Sequence, residues 1–364
     1  MIALPSIPLP VPMPEDCADF AARRIAILGA GGVAAFAHLP AYLSLGLEVA
    51  ALVDPDPAGI ERARKALPPG AQPHLLDGLD ALAGACRAER IDLIDIALPS
   101  QLHEGAIDEI LDRMGRDCPP ILVQKPVAQT AAAARRLQTR ADGLGVRLFV
   151  NLNARYVPTF RKARDLVREG AIGLPLSGCV LNRGLNAKGP DQWRGKLTRL
   201  ILWEMAIHHI DLLMWMFDAP VLDVQAVAAR IPGLGVVGEN VATVLMRFAS
   251  GASATLVEDW ACADRRLWRY HPDGEEILIT GTEGTLSLTP SALSLVRGND
   301  RKTWHSVALW FPDAFAGPIA EALTALSLGR PSPLDGGTCL GVLDVLEAAY
   351  AAASSGQATP PVAA

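Results

Sequence analysis

The sequence predicts an α/β unit with a parallel sheet, followed by an α+β unit built on one large, mostly antiparallel sheet. Three observations predict it. The chain has 364 residues, and beyond roughly 250 residues single cores stop growing and chains divide into domains. Its first part alternates short apolar runs with stretches of helical spacing, the pattern of a sheet covered on both faces. Its second part alternates apolar and polar residues between turns such as Ala249-Ser250-Gly251 and Gly281-Thr282-Glu283-Gly284, as half-exposed antiparallel strands do. The boundaries predicted are a proline-rich arm over 1–22, the α/β unit over 23–151 and the α+β unit over 152–364.

The first unit is organised around residues 24–54. Arg24-Ile25-Ala26-Ile27-Leu28 and the apolar run 47–53 read as two buried parallel strands. Between them Gly29-Ala30-Gly31-Gly32-Val33-Ala34 fits G-x-G-x-x-G/A, with alanine in the third place. The first glycine makes the turn and the second lets backbone amides approach a pyrophosphate. The small third residue lets the helix pack close to the strand, so that phosphates meet its positive N-terminus. Asp54 ends the second strand, where a carboxylate accepts both ribose hydroxyls of an adenosine. Glycine turns also serve ordinary connections, but a strand before, a helix after and an acid at the next strand's end make this a Rossmann-type dinucleotide site. Gly29, Gly31, Gly32, Val33 and Asp54 are its candidate cofactor contacts. A carboxylate repels the additional phosphate of NADP, so NAD(H) is favoured over NADP(H).

A net charge of −6 argues against nucleic acid or an anionic membrane as partner. No apolar run reaches the roughly 18 residues needed to span a bilayer, and the expected location is the cytoplasm. The six cysteines, Cys17, Cys86, Cys118, Cys179, Cys262 and Cys339, form no C-x-x-C pair and no metal-ligand spacing, so no metal is expected and the thiols suit a reducing compartment. The arm has five prolines and no positive start. It is not read as a signal peptide; it is either disordered or draped over a neighbouring subunit.

Along the chain, 58–67 reads as a helix stopped by Pro68-Pro69-Gly70, and 80–87 as a second. Residues 91–98 form a strand ending at Pro99-Ser100. The carboxyl ends of parallel strands face the ligand crevice, which places Pro99, Ser100 and His103 beside the cofactor, although His103 serves equally as a cap on the helix 103–114. The strand 120–123 runs into Gln124-Lys125-Pro126; a lysine there is poorly explained by solubility and should point into the crevice. The helix 130–144 and the strand 146–150 complete the unit. The second unit opens with a helix over 156–169 and a strand over 175–181. The long polar loop 184–199 holds Trp193 and Arg194 and reads as a substrate wall. Strands are expected at 221–230, 240–248, 252–258, 276–280, 285–288 and 292–297, and helices at 315–328 and 339–354.

The other informative stretch is 202–213, Leu-Trp-Glu-Met-Ala-Ile-His-His-Ile-Asp-Leu-Leu. As a helix it puts Glu204, His208 and Asp211 on one face, with His209 turned about 100° away. Three ionisable groups on an otherwise apolar helix are costly to bury unless they act together. A surface face with one salt bridge is the bland reading, and Trp203, Ile207, Leu212 and Trp215 leave little surface for it. Metal binding through Glu204 and His208 lacks a third ligand.

With GAGGVA, ALPSQLH, QKP, NLNARYVPTFRKARDLVREGAIG, EMAIHHIDLL and GRPSPLDGGTCLGVLDVLEAAYAAASSG in order across residues 23–356, the chain resembles the Gfo/Idh/MocA family of NAD(P)-dependent oxidoreductases. The resemblance implies an open sheet whose exposed face forms subunit contacts, a homodimer or homotetramer, and oxidation of a hydroxyl on a sugar or cyclitol. It places Lys125 at the family's catalytic lysine, His208 at its histidine and Glu204 where the acid is commonly aspartate. Gln124 replaces the glutamate of EKP, and Ala206 a common glycine. Arg155 resembles a substrate-binding position; Asn153, Asn182, Trp193, Arg194 and Asp211 are further substrate-binding candidates, and Trp193 either stacks on a sugar or packs under its loop. Two alternatives are a lyase or glycosidase that retains NAD and oxidises transiently, and a non-catalytic NAD-binding sensor. Keeping lysine, acid and histidine together speaks against the sensor.

Overall fold

The computed structural model describes residues 6–14, 20, 23–185, 192–262, 274–308 and 310–361. The chain divides into two compact units, Met13–Asn153 with Phe311–Leu340, and Ala154–Trp310 with Met1–Pro12 and Gly341–Ala364. Its first strand, β1 (Ser6–Leu9), belongs to the second of these.

The α/β unit runs β2 (Arg24–Leu28), α1 (Leu39–Ser44), β3 (Glu48–Val53), α2 (Pro57–Lys65), β4 (His74–Leu76), α3 (Leu79–Ala88), β5 (Leu93–Ile96), α4 (His103–Met114), β6 (Ile121–Gln124), α5 (Ala131–Leu144) and β7 (Leu148–Asn151). The sheet order is β4-β3-β2-β5-β6-β7, and every pair is parallel. This is the doubly wound arrangement with its switch point between β2 and β5. Local chemistry sets the helix ends: the Asp56 carboxylate accepts from the Ala58 amide at the start of α2, and the Thr130 hydroxyl accepts from the Ala133 amide at the start of α5, each supplying an orphan donor with a partner. The short edge strand β4 escapes sequence reading because only three residues pair and they carry no apolar alternation.

The α+β unit runs α6 (Pro158–Arg168), β8 (Pro175–Arg183), a π-helical turn at Leu202–Ala206 leading into α7 (Ile207–Phe217), then β9 (Val221–Ala229), β10 (Val241–Phe248), β11 (Ser253–Asp259), β12 (Glu275–Gly281), β13 (Thr285–Leu288), β14 (Ala292–Arg297) and β15 (Asp300–Ser306). Among the described residues the sheet has nine strands, in the order β1-β15-β14-β13-β12-β8-β11-β10-β9. It is antiparallel except at β8/β11 and β1/β15. Along β10 the side chains of Ala242, Val244, Met246 and Phe248 are buried while Thr243, Leu245 and Arg247 are exposed, the period of two expected of a sheet with one open face. Helix α7 lies close on the other face: a Cβ at Gly178 of β8 would stand 2.9 Å from Leu213.

Two expectations are corrected. Part of the predicted arm, β1, is a strand of this chain's own sheet, pairing Ser6 with Thr303 through Leu9 with Ser306; an extended, proline-spaced segment finds the open edge of β15. Residues 1–5, 15–19 and 21–22 of the arm lie outside the described residues. The segment 311–340 also belongs to the α/β unit rather than the second one. There α8 (Ala316–Leu328) has Ile319, Ala320, Ala322 and Ala325 fully buried. Beyond it the Val150 amide donates to Leu334 O, and the Arg147 guanidinium donates to Arg330 O and to Asp335. An apolar helix can be assigned a partner only when the chain's return is known. The last helix, α9 (Gly336–Ser355), follows.

Candidate active site

In the α/β unit the glycine turn has the shape its sequence requires. Gly29 has φ +100, and a Cβ there would stand 2.9 Å from the Ala97 carbonyl. Where Cβ atoms would stand on Gly31 there is open space for 4 Å, so the backbone is bare to an incoming pyrophosphate. Val33 begins the π-helical turn Ala34–His38 that carries the chain into α1. The Asp54 carboxylate accepts from the Ala30 amide at 2.7 Å and from the Asp56 amide at 2.8 Å. It is thereby fixed at the end of β3 and keeps lone pairs for ribose hydroxyls. These residues fit a dinucleotide.

Pro99 and Ser100 follow β5, Gln124 ends β6, and Lys125 comes directly after it, half-buried. His103 opens α4. Its ring is fully buried, with Nδ1 at 2.7 Å from Pro126 O and Nε2 at 2.9 Å from Leu98 O. Both nitrogens face backbone carbonyls, tying the end of β5 to the turn after Lys125. His38, Tyr42 and Asp95, which carry no motif, also lie here. Asp95 is fully buried on β5; its Oδ2 lies 2.5 Å from His38 Nδ1 and accepts from the Tyr42 hydroxyl, while His38 Nε2 lies 2.7 Å from Gln124 Nε2. A carboxylate inside the apolar run Leu93-Ile94-Asp95-Ile96 was the available signal, since a buried charge demands partners.

In the α+β unit, the π-helical turn and α7 present Glu204 and His208, both buried. The Glu204 carboxylate accepts from Arg194 Nε at 3.3 Å, and Arg194 in turn lies 4.3 Å over the ring of Trp193. One face of Trp193 is therefore covered by its neighbour, which bears on the expected choice between stacking and packing. Residues 186–191 of the same loop lie outside the described residues. The His208 ring meets Trp310 edge-on at 5.5 Å. Arg155 and Asp211 are brought together with each other: Nε and Nη2 of the buried Arg155 donate to the two oxygens of Asp211, at 2.7 and 2.5 Å. They form a buried ion pair at α7, because a carboxylate and a guanidinium removed from water satisfy one another first. Asn153, which opens the turn Asn153–Tyr156, is buried.

His209 points the other way, as its 100° offset implies. Its Nδ1 lies 2.5 Å from Glu258 and its Nε2 2.8 Å from Glu275, all three fully buried. Asn182 of β8 sits in register between those two glutamates, which places it in this polar layer under α7. Burial lowers the His209 pKa, but the two carboxylates outweigh it and raise it to about 10.

Residues 23–152 match the model of the oxidoreductase family with an NAD-binding Rossmann fold, and residues 160–287 that of the GFO/IDH/MocA C-terminal domain. The chain belongs to the Gfo/Idh/MocA family. It is an NAD(P)-dependent oxidoreductase of the kind acting on CH–OH groups. This family member is 28% identical to the D-apiose dehydrogenase of Paraburkholderia graminis over 88% of this chain and 85% of that protein. It is 27% identical to the inositol 2-dehydrogenase of Acidothermus cellulolyticus over 86% of this chain and 88% of that one. Among solved structures, an oxidoreductase from Agrobacterium radiobacter in complex with NAD+, L-tartaric acid and magnesium superposes with a TM-score of 0.79 at 22% identity, covering 93% of this chain and 98% of that one. That likeness shows the shared fold. Among the described residues no helix is long and apolar enough to cross a membrane.

Proposed function

We propose that this dehydrogenase transfers hydride between NAD(H) and a secondary hydroxyl of a sugar, cyclitol or sugar derivative. The observation that carries the reading is the buried acid and histidine pair, Glu204 and His208, presented by one apolar helix of a Gfo/Idh/MocA C-terminal domain. Relatives named for D-apiose and inositol support the polyhydroxylated class. A dinucleotide, which the bare Gly31 backbone and Asp54 would hold, would supply a hydride acceptor at its nicotinamide. The chain supplies the rest. His208 takes the hydroxyl proton as hydride leaves, imidazole being the side chain that exchanges protons near neutral pH. Lys125, as a cation, stabilises the developing alkoxide. Glu204, whose charge is balanced by Arg194, binds a neighbouring hydroxyl.

A panel of sugars, cyclitols and sugar acids with NAD at mildly alkaline pH, followed by NADH absorbance, tests the reading. Turnover that discriminates between epimers supports it and locates the oxidised carbon. No NADH from any member, with NAD binding demonstrated, would overturn it.

The preference for NAD(H) rests on Asp54. Replacing it with alanine removes a charged acceptor for the adenosine ribose, a loss of about 1.5–3 kcal/mol for such a bond, and removes the repulsion of a 2′-phosphate. Fluorescence titration should show NADH affinity down by roughly tenfold or more and the gap between NADH and NADPH narrowed. An unaltered ratio would count against Asp54.

A further inference from the structure

His38, Tyr42, Asp95 and Gln124 form a chain of hydrogen bonds leading from the middle of the parallel sheet to the carboxyl end of β6. His38, Tyr42 and Asp95 have no solvent exposure at all, whereas Gln124 is half-buried, one residue before Lys125. A carboxylate so placed can only accept, so both groups on Asp95 Oδ2 must be donors: the Tyr42 hydroxyl and His38 Nδ1. Burial and the carboxylate push the Tyr42 phenol well above its usual pKa, which keeps its proton in place. Phe315 packs edge-on against the imidazole at 5.1 Å and helps hold the ring's plane.

The proton on Nδ1 has a consequence at the other nitrogen. A neutral imidazole carrying Nδ1–H has a lone pair at Nε2, and Gln124 Nε2 lies 2.7 Å away. The amide N–H of Gln124 donates there, which turns its carbonyl oxygen away from His38. Glutamine is half donor and half acceptor, and nothing in its own shape decides which half faces outward. The half of the sheet beyond the switch point, β5 to β7, takes the nicotinamide part of a dinucleotide, as β2 to β4 take the adenosine part.

We propose that Asp95 holds His38 in its Nδ1–H tautomer and thereby sets the Gln124 amide with its carbonyl oxygen outward, as an acceptor for the donor groups of the nicotinamide half of NAD(H). The proposal rests on the cofactor reading above. Asp95, Tyr42 and His38 are positioning residues, and Gln124 is the group that touches the cofactor. A carboxylate at position 124 would present an acceptor in either orientation; a glutamine needs the relay.

The test is Asp95→Asn. The asparagine fits the same space, and with its NH2 in the place of Oδ2 it donates one hydrogen to His38 Nδ1 and the other to the Tyr42 oxygen. The ring proton must move to Nε2, and Gln124 must turn over to accept from it, leaving its NH2 outward. This is the wrong-tautomer logic known for a buried aspartate behind a histidine. In protein labelled with ¹⁵N-histidine, the His38 resonances should report Nδ1–H in the wild type and Nε2–H in the variant. NADH affinity by fluorescence titration should fall by roughly tenfold, the worth of one hydrogen bond of about 1.4 kcal/mol. Adding Gln124→Glu to Asp95→Asn gives a carboxylate that accepts from Nε2–H with one oxygen and offers the other outward, and affinity should return to within about threefold of wild type. A variant merely damaged by the loss of Asp95 would gain nothing from that second change. The proposal is overturned if His38 keeps the same tautomer in both proteins, if affinity is unchanged by Asp95→Asn, or if Gln124→Glu fails to restore it. A wild-type protein that does not bind NADH would overturn the cofactor reading, while the tautomer shift in NMR is independent of it.

Discussion

Lys125→Ala is expected to lower turnover by about 10³-fold, the scale of losing one preorganised charge at a developing oxyanion, while NADH affinity stays within a few-fold. The position explains the separation. Lys125 follows the last residue of β6, beyond the strand's hydrogen bonds, and the turn after it is held by His103 through Pro126 O and Leu98 O. Removing the side chain therefore leaves the backbone frame and the glycine turn untouched. The lost ammonium matters most when the substrate hydroxyl becomes an alkoxide, so kcat should fall much more than KM rises. Lys125→Arg should not restore activity, because a broad planar guanidinium cannot take the place of a compact ammonium. Steady-state kinetics on an active substrate, with NADH titration of the same proteins, measures both. Unchanged turnover in the alanine variant would end the catalytic assignment.

His209→Leu is expected to destabilise the α+β unit by about 3–5 kcal/mol, the cost of leaving buried charges without their counterion. Glu258 and Glu275 approach the imidazole from two strands, β11 and β12, that flank β8. With the imidazolium gone, two fully buried carboxyl groups face each other across Asn182, and one or both must take up protons. For the intact protein the pH dependence has a definite sign. His209 goes from 6.5 unfolded to about 10 folded, so its contribution is fully present below 6.5 and is lost as pH rises from there towards 10. Burial, only partly opposed by His209, raises the Glu258 pKa above its usual value, and a raised carboxyl also favours folding at low pH and loses that contribution as pH rises. Both terms act together. Thermal unfolding of the wild type should therefore show a lower midpoint at pH 9.5 than at pH 6.5. The deficit of His209→Leu should be largest near pH 7–8 and smaller near pH 5, where its orphaned carboxyl groups are neutralised. A deficit independent of pH would mean that packing against Trp310, 6.3 Å from His209, is what the variant loses.

What could be read from sequence was what short-range chemistry decides. The turn at Gly29 is a local matter of backbone sign and a blocked Cβ, and Asp54 reaches it through the amides of Ala30 and Asp56. Strands β9 to β14 announce themselves by their own alternation, and the opposite facings of His208 and His209 follow from helix geometry. The NAD-binding fold, the family and the class of chemistry were therefore legible. The strand β15 was not, because Asp300, Arg301 and Lys302 open it with three charged residues that only a position near the sheet edge tolerates.

The tertiary structure decided which polar groups are spent on each other. Arg155 and Asp211, 56 residues apart, close into an ion pair that no local pattern announces. Arg194 meets Glu204, and His103 turns both nitrogens to backbone carbonyls. The relay from Asp95 joins positions 57 and 53 residues away, and passes from His38 to Gln124 across a further 86. Neither does the sequence reveal that β1 and α8 belong to units other than their neighbours in the chain. The reason is common to all of these. Helix, strand and turn preferences act over a few residues, whereas the partner of a buried charge or an apolar face is chosen by whatever the fold brings within hydrogen-bonding or packing distance.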